Sequence, residues 1–296
     1  MSDPTTFRIG TRGSRLALIQ TGLVAERLKS AGYEVEVVTI VTTGDRRPAG
    51  SNGQEIAQDG WFTRALREAL EARDIDLAVH SAKDLPIEAE PETGVVFPER
   101  ADPRDALVTR ARVPLERLPE GATVGTDSVR RAGFLRAARP DLRFVPLHGN
   151  VPTRVEKLDR GDADALVLAA AGLDRLGWGS RIDQLLDPEL MPPAPAQGAL
   201  AIEVRELRSP AGEAVAALDD PLVRAAVHIE RSVLKAMGGG CRSPLGALAD
   251  VVDGEVSLLA GVPGRVLRWS ARLADQDRVL QEVTQSLLEE ETWQAR

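Results

Sequence analysis

The feature that most constrains this chain is its alternation. Short apolar runs of strand character alternate with amphipathic segments of helical period for most of its length, the pattern of α/β domains with largely parallel sheets. Residues 7–10 predict a strand. A helix follows from Ser14, a suitable N-cap, with Leu16, Ile19, Leu23, Val24 and Leu28 on one face. Residues 33–40 alternate as a strand, and 61–72 form a helix through Phe62, Leu66 and Leu70 that feeds a buried strand over 77–80. A charged, proline-bearing connection over 98–104 has the composition of a hinge, and a second unit starts near Asp105. It reads as strand 123–125, helix 128–139, strand 142–146, helix 153–160 and strand 165–169. A stiff proline-bearing run over 190–204 enters a buried strand that could return the chain to the first lobe. Helix 221–237 stops at Gly238, Gly239 and Gly240, and strands over 246–251, 255–259 and 266–272 with a closing helix through Val283 and Leu288 make a small third domain.

Two short segments echo each other. IGTRGS from Ile9 and VGTDS from Val124 both run from strand through a glycine turn to a serine that opens a helix. Read as common turn chemistry, the echo carries no information. Read as a repeat, it describes two similar lobes, each aiming a helix N-terminus at a shared cleft suited to anions. Between Val41 and Gly60 the chain turns polar and glycine-bearing without periodicity, as in a loop beside a site.

Composition excludes several classes. With 296 residues, 43% hydrophobic and 28% charged, the chain suits two or three globular domains. No apolar run is long enough to cross a bilayer and the amino terminus lacks a signal-peptide layout, so cytoplasmic residence without a membrane partner is expected. A net charge of -8 disfavours nucleic acid. Cys241 is the only cysteine, which excludes an intrachain disulfide and a cysteine-cluster metal site. The three histidines, His80, His148 and His228, are too scattered to suggest a metal site by spacing, and His80 reads as a satisfied core residue at a strand end.

Chemistry concentrates elsewhere. DLAVHSAKDLP from Asp76 begins as a strand and ends by gathering His80, Ser81, Lys83 and Asp84, and ligands of open α/β sheets bind outside the carboxyl ends of strands. Lys83 beside Asp84 can set its charge state. Arg12, Arg130, Arg131, Arg154 and Arg175 fall at strand-to-helix junctions, where five guanidiniums could converge on one polyanionic ligand.

Together, GTRGS from Gly10, DLAVHSAKDLP from Asp76, DPRD from Asp102, GTDSVRR from Gly125, Gly149 and Asn150 with Thr153 and Arg154, AAAGL from Ala169, QGA from Gln197 and GGC ending at Cys241 resemble the hydroxymethylbilane synthases, also called porphobilinogen deaminases. The resemblance covers almost the whole chain in order, fading in the last fifty residues. It implies two α/β lobes like those of type II periplasmic binding proteins plus a small α/β third domain that carries a cofactor cysteine. The boundaries expected are 1–98 with 199–217, 104–193, and 221–296. It also implies a transferase of porphyrin biosynthesis, expected to act as a monomer. Four porphobilinogens are joined head to tail, with loss of ammonia, on a dipyrromethane held by a thioether to Cys241, and water then releases hydroxymethylbilane.

By the same resemblance Asp84 is the catalytic carboxylate that accepts pyrrole N–H bonds, stabilises positive charge on the pyrroles and handles protons. Lys83, Ser128, Arg130, Arg131 and Arg154 would hold the cofactor. Arg12, Ser14, Gln20, Ser81, Thr126, His148, Arg175 and Gln197 would contact substrate, whose acetate and propionate groups require cations. The chain departs from the family pattern at three places: His148 stands where arginine is usual, Asp127 where serine or glycine is common, and Gln58, Asp59 and Gly60 replace a glycine-rich segment that often carries lysine. Each change makes the site less positive. Two rivals remain: a two-lobed anion-binding homologue that has lost catalysis, and a thiol-dependent hydrolase.

Overall fold

The computed structural model describes residues 6–40, 61–87, 94–240 and 243–288. The chain divides into two compact units, Met1–Arg100 with Ala199–Arg224, and Ala101–Gly198 with Ala225–Arg296.

The first unit opens with β1 (Thr6–Thr11), α1 (Arg15–Ser30), β2 (Glu34–Thr39), α2 (Trp61–Glu71), β3 (Leu77–Ser81) and β4 (Gly94–Val96). Both β2 and β3 pair with β1 in parallel. The β3 run LAVH is buried throughout because both sheet faces are covered. Phe7, Ile9, Leu77 and Val79 pack with Val24 and Leu28 of α1 on one face, while Leu66 and Leu70 of α2 cover Ala78 and Ile75 on the other. Gly10 permits that second layer to close, since a Cβ there would run into the Ile75 side chain. Each fully buried leucine contributes about 2 kcal/mol relative to exposure.

The second unit supplies β5 (Asp105–Thr109), β6 (Thr123–Gly125), α3 (Val129–Ala138), β7 (Arg143–Val145), α4 (Val151–Arg160), β8 (Ala165–Ala169), α5 (Ala170–Arg175) and β9 (Gln184–Leu185), in the order β7-β6-β8-β5-β9. The chain then returns to the first unit as β10 (Leu200–Val204), which lies between β3 and β4 to give β2-β1-β3-β10-β4, followed by α6 (Pro210–Ala216). In each sheet three parallel strands carry an antiparallel fourth, β10 beside β3 and β5 beside β8. These are the two expected α/β lobes.

The expected largely parallel sheets are therefore mixed. Leu200 pairs with Ser81, the last residue of β3, so β10 enters where β3 finishes and runs back along it. Asp105 pairs with Ala169 in the same way. A strand buried on both faces has the same apolar pattern in either direction, which is why periodicity does not report the difference.

The rest of the second unit is α7 (Pro221–Ala236), which begins in the first unit's final residues, then β11 (Gly246–Val252), β12 (Glu255–Val262), β13 (Arg265–Arg272) and α8 (Gln276–Leu288). The three strands form an antiparallel meander whose apolar face, Ala247, Val256, Leu258 and Ala260, is covered by Ile229 and Val233 of α7 and Val283 and Leu287 of α8.

Helix caps follow the sequence closely. Ser14 Oγ accepts from Ala17 N and Ser128 Oγ from Arg131 N, both at 3.3 Å. The fourth helix begins two residues before the expected Thr153, because Asn150 Oδ1 accepts from Thr153 N at 3.0 Å and Pro152 suits the first turn. The loop expected over 41–60, with Asp59, lies outside the described residues.

Candidate functional site

In the first unit the site is built on the carboxyl end of β3. A 3-10 turn follows, Ala82–Asp84, and Ala82 N donates to Ala199 O at 3.0 Å while Leu85 N donates to Ala82 O at 3.3 Å. Ala82 and Leu85 are buried, so the turn is pinned by its apolar members, with Lys83 half-buried and Asp84 exposed. Ser81 Oγ accepts from Gln20 Nε2 at 3.0 Å, which ties the tip of β3 to α1. Gln20 is itself buried, so it supports the strand tip rather than lining open space. Arg12 is half-buried just beyond β1, and Ser14 caps α1 with its oxygen while its O–H remains a donor.

Beneath this tip lies a buried polar group. Glu203 of β10 is fully buried, and its Oε1 accepts from Arg67 Nε at 2.8 Å while its Oε2 lies 3.1 Å from His80 Nε2. His80 is thus a core residue facing a carboxylate, as its sequence position suggests, but its Nε2 makes no hydrogen bond of good geometry, so the expected satisfied state is not what the structure shows.

The second unit repeats the strand-tip arrangement at β6. Thr126 is buried, its N donating to Val145 O at 3.0 Å and its Oγ1 accepting from Ser128 N at 3.2 Å. Arg130 and Arg131 open α3 but point inward, onto Asp105. Arg130 Nη2 is 2.6 Å from Asp105 Oδ2 and Arg131 Nη2 2.8 Å from Oδ1, and the carboxylate is completely buried. Burial by itself would raise the Asp105 pKa. The charges of Arg130 and Arg131, with hydrogen bonds from Arg130 and Gln197, outweigh it and hold the group at about 2. Arg130 also donates to Pro192 O, and Arg131 to Val167 O. Gln197, fully buried, donates to Asp105 Oδ1 at 3.0 Å and to Pro103 O at 2.8 Å.

The expected set of open guanidiniums is accordingly different in the structure. Arg130 and Arg131 are 3% and 8% exposed and are committed to Asp105, and Gln197 is 0% exposed and belongs to the same cluster. Two adjacent guanidiniums at a helix start need a nearby countercharge, and β5 supplies it. Arg175, at the end of α5, donates to Gly198 O at 2.9 Å. Arg154 donates from Nε to Gly149 O at 2.7 Å and meets Asp127 through Nη2 at 3.1 Å. Burial, with Arg131 nearby, pushes the Arg154 pKa down against the pull of Asp127. His148, largely exposed, has Nδ1 3.1 Å from the other oxygen of Asp127.

Cys241 lies outside the described residues. Before it, Gly239 N donates to Leu234 O at 3.0 Å, and after it Ser243 N donates to Gly240 O at 2.9 Å. Among the described residues no group of three His, Cys, Asp or Glu side chains is arranged to hold a metal ion, and no helix is long and apolar enough to cross a membrane.

Sequence reasoning did not single out Asp105, Glu203 or Glu230 as site-shaping residues. Glu230 of α7 is fully buried and accepts from Ala196 N at 2.6 Å and Ala249 N at 2.8 Å. The available signal is a lone carboxylate inside an apolar run, as in DALVT and LAIEV.

Residues 7–212 match the family model "Porphobilinogen deaminase, dipyromethane cofactor binding domain", and 225–265 match "Porphobilinogen deaminase, C-terminal domain". A porphobilinogen deaminase of Roseiflexus castenholzii is 48% identical over 265 residues, covering 88% of this chain and 86% of its own length. One from a second Roseiflexus strain is 46% identical, covering 93% and 92%. The porphobilinogen deaminase of Mycobacterium tuberculosis is 49% identical, covering 83% and 79%.

Proposed function

The chain belongs to the porphobilinogen deaminase family, and from that membership we propose how its residues divide the work of a hydroxymethylbilane synthase. Such an enzyme is a transferase of porphyrin biosynthesis. It joins four porphobilinogens head to tail, releasing one ammonia at each condensation, and hydrolysis then frees the linear tetrapyrrole hydroxymethylbilane.

The observation that carries the assignment of roles is Asp84, an exposed carboxylate held at the end of a buried strand by a turn whose other anchors, Ala82 and Leu85, are buried. A fixed carboxylate here costs no reorganisation when positive charge develops on a pyrrole ring, and it can accept the ring N–H and take up the proton lost on bond formation. Lys83, the adjacent cation, would hold a carboxylate of the cofactor. Arg12, Ser14 and Ser81 supply further donors from the same unit, with Gln20 holding Ser81 in place.

The second unit fits a carboxylate-bearing cofactor. Arg130, Arg131 and Arg154 face two carboxylates, Asp105 and Asp127, so the cluster keeps a net positive charge beside the start of α3. Dipyrromethane held by Cys241 would supply the pyrrole carbon to which the first porphobilinogen is joined. Arg154 and Ser128 would hold its carboxylates, and the buried Arg130 and Arg131 would act through the field of their cluster. Thr126, His148 and Arg175 would contact substrate, and Gln197 would act through Asp105. The three-domain division at 1–98 with 199–217, 104–193 and 221–296 belongs to the same reading, as does a cytoplasmic monomer.

The test is incubation with porphobilinogen, following uroporphyrin after oxidation together with intact protein mass. The expected result is uroporphyrin and a covalent dipyrromethane increment lost in Cys241→Ser. Asp84→Asn is expected to lose a factor of about 100 to 1,000 in turnover, the cost of removing a preorganised electrostatic group. An Asp84→Asn protein with unchanged turnover removes Asp84 from this role.

A further inference from the structure

Asp127 fills from within the place that an incoming anion would take. One of its carboxylate oxygens is 3.1 Å from Arg154 Nη2 and the other 3.1 Å from His148 Nδ1. It directly precedes Ser128, the N-cap of α3, and Arg154 stands at the beginning of α4, so helix-end charge adds to that of the side chains. Arg154 Nε is already spent on Gly149 O. Either edge on which a guanidinium can grip a carboxylate at two points, Nε with Nη2 or Nη1 with Nη2, includes Nη2, the nitrogen that Asp127 holds.

We propose that Asp127 is a specificity-determining residue, an internal counter-anion that a pyrrole carboxylate must displace to grip Arg154 at two points. This rests on the porphobilinogen deaminase reading. On displacement Asp127 keeps its second partner, His148, so the carboxylate is not left unpaired. A ligand with one carboxylate exchanges one ion pair for another and gains little. A ligand with two or more gains the additional contacts as net affinity, so the site selects polycarboxylated pyrroles.

The ligand carboxylate could come from the cofactor or from substrate, and the measurements separate them. Asp127→Asn removes the charge and keeps the shape. In the apo chain, a fall of about fivefold in the porphobilinogen concentration giving half-maximal covalent mass increment identifies the cofactor's carboxylate, that factor being the upper range for a partly exposed ion pair. In the loaded enzyme, a similar fall in KM at unchanged kcat identifies the substrate's. Either gain is expected to vanish in an Arg154→Gln background.

Glutarate, a dicarboxylate that cannot condense, provides a readout on the unmutated chain. It should move the Asp127 carboxyl 13C resonance, and it should bind the Asn variant about fivefold more tightly. No change in either enzymatic arm with the variant still folded, or an unmoved Asp127 resonance across the glutarate titration, overturns the proposal. If the unmutated chain gains no mass and yields no uroporphyrin, the enzymatic reading is what fails, and the glutarate titration alone then decides the part played by Asp127.

Discussion

Replacing Asp105 by asparagine tests whether its cluster is as tightly coupled as the geometry indicates. The side chain is 0% exposed, with Arg130 Nη2 at 2.6 Å and Arg131 Nη2 at 2.8 Å, so asparagine preserves the shape while leaving two buried guanidiniums without their countercharge. Holding the carboxyl at about 2, against an ordinary 3.8, corresponds to roughly 2 to 3 kcal/mol of stability. Breaking a buried pair by removing one partner costs about 3 to 5 kcal/mol, so the loss at neutral pH is expected to fall between about 2 and 5 kcal/mol. Because the folded-state pKa is depressed, this contribution is fully present above pH 3.8 and is lost as pH falls through about 2. The assay is urea denaturation of both proteins from pH 7 down to pH 2. The variant should be much less stable at pH 7, and the gap should narrow below pH 3.8 as the unmutated carboxyl takes up its proton. Equal stability at pH 7, or a gap constant across the acid range, refutes the coupling.

Two further substitutions probe the frame around the site. Glu203→Gln, which strands Arg67 beside a buried amide, is expected to cost about 3 kcal/mol or more and to speed hydrogen exchange of the β3 amides; unchanged exchange at Val79 and His80 refutes the support role. Gly198→Ala is expected to cost about 1 to 3 kcal/mol, because Gly198 has φ +88° and an added Cβ would run into Ala101 O; a thermal midpoint within a degree of the original refutes it.

Much of this architecture is legible in the chain itself. Ser14 and Ser128 announce their helices because capping is local chemistry, settled within four residues. The β3 strand is readable for the same kind of reason, since LAVH has only one way to bury its run. The running directions of β5 and β10 are not readable, because they depend on where the chain re-enters each sheet. The fate of the arginines is likewise nonlocal. Arg130 and Arg131 look like open anion receptors until the fold brings Asp105 to them from a strand 25 residues earlier. Asp127 stands out as an acidic departure in the sequence, yet only the folded arrangement shows that it occupies Arg154. Cys241, outside the described residues, takes its assignment from the family motif alone.

The return of the chain as β10 bears on how the protein is made. The five strands of the second large sheet all lie between Asp105 and Leu185, so that sheet has all its parts as soon as the ribosome has passed them. The first sheet, although it starts at Thr6, lacks an interior strand until Leu200–Val204 has emerged. During translation β3 therefore waits with an unpaired edge for more than a hundred residues of synthesis, a template open to wrong partners. The nascent amino-terminal segment should thus engage a chaperone until β10 arrives, and the middle of the chain should reach native structure before its beginning.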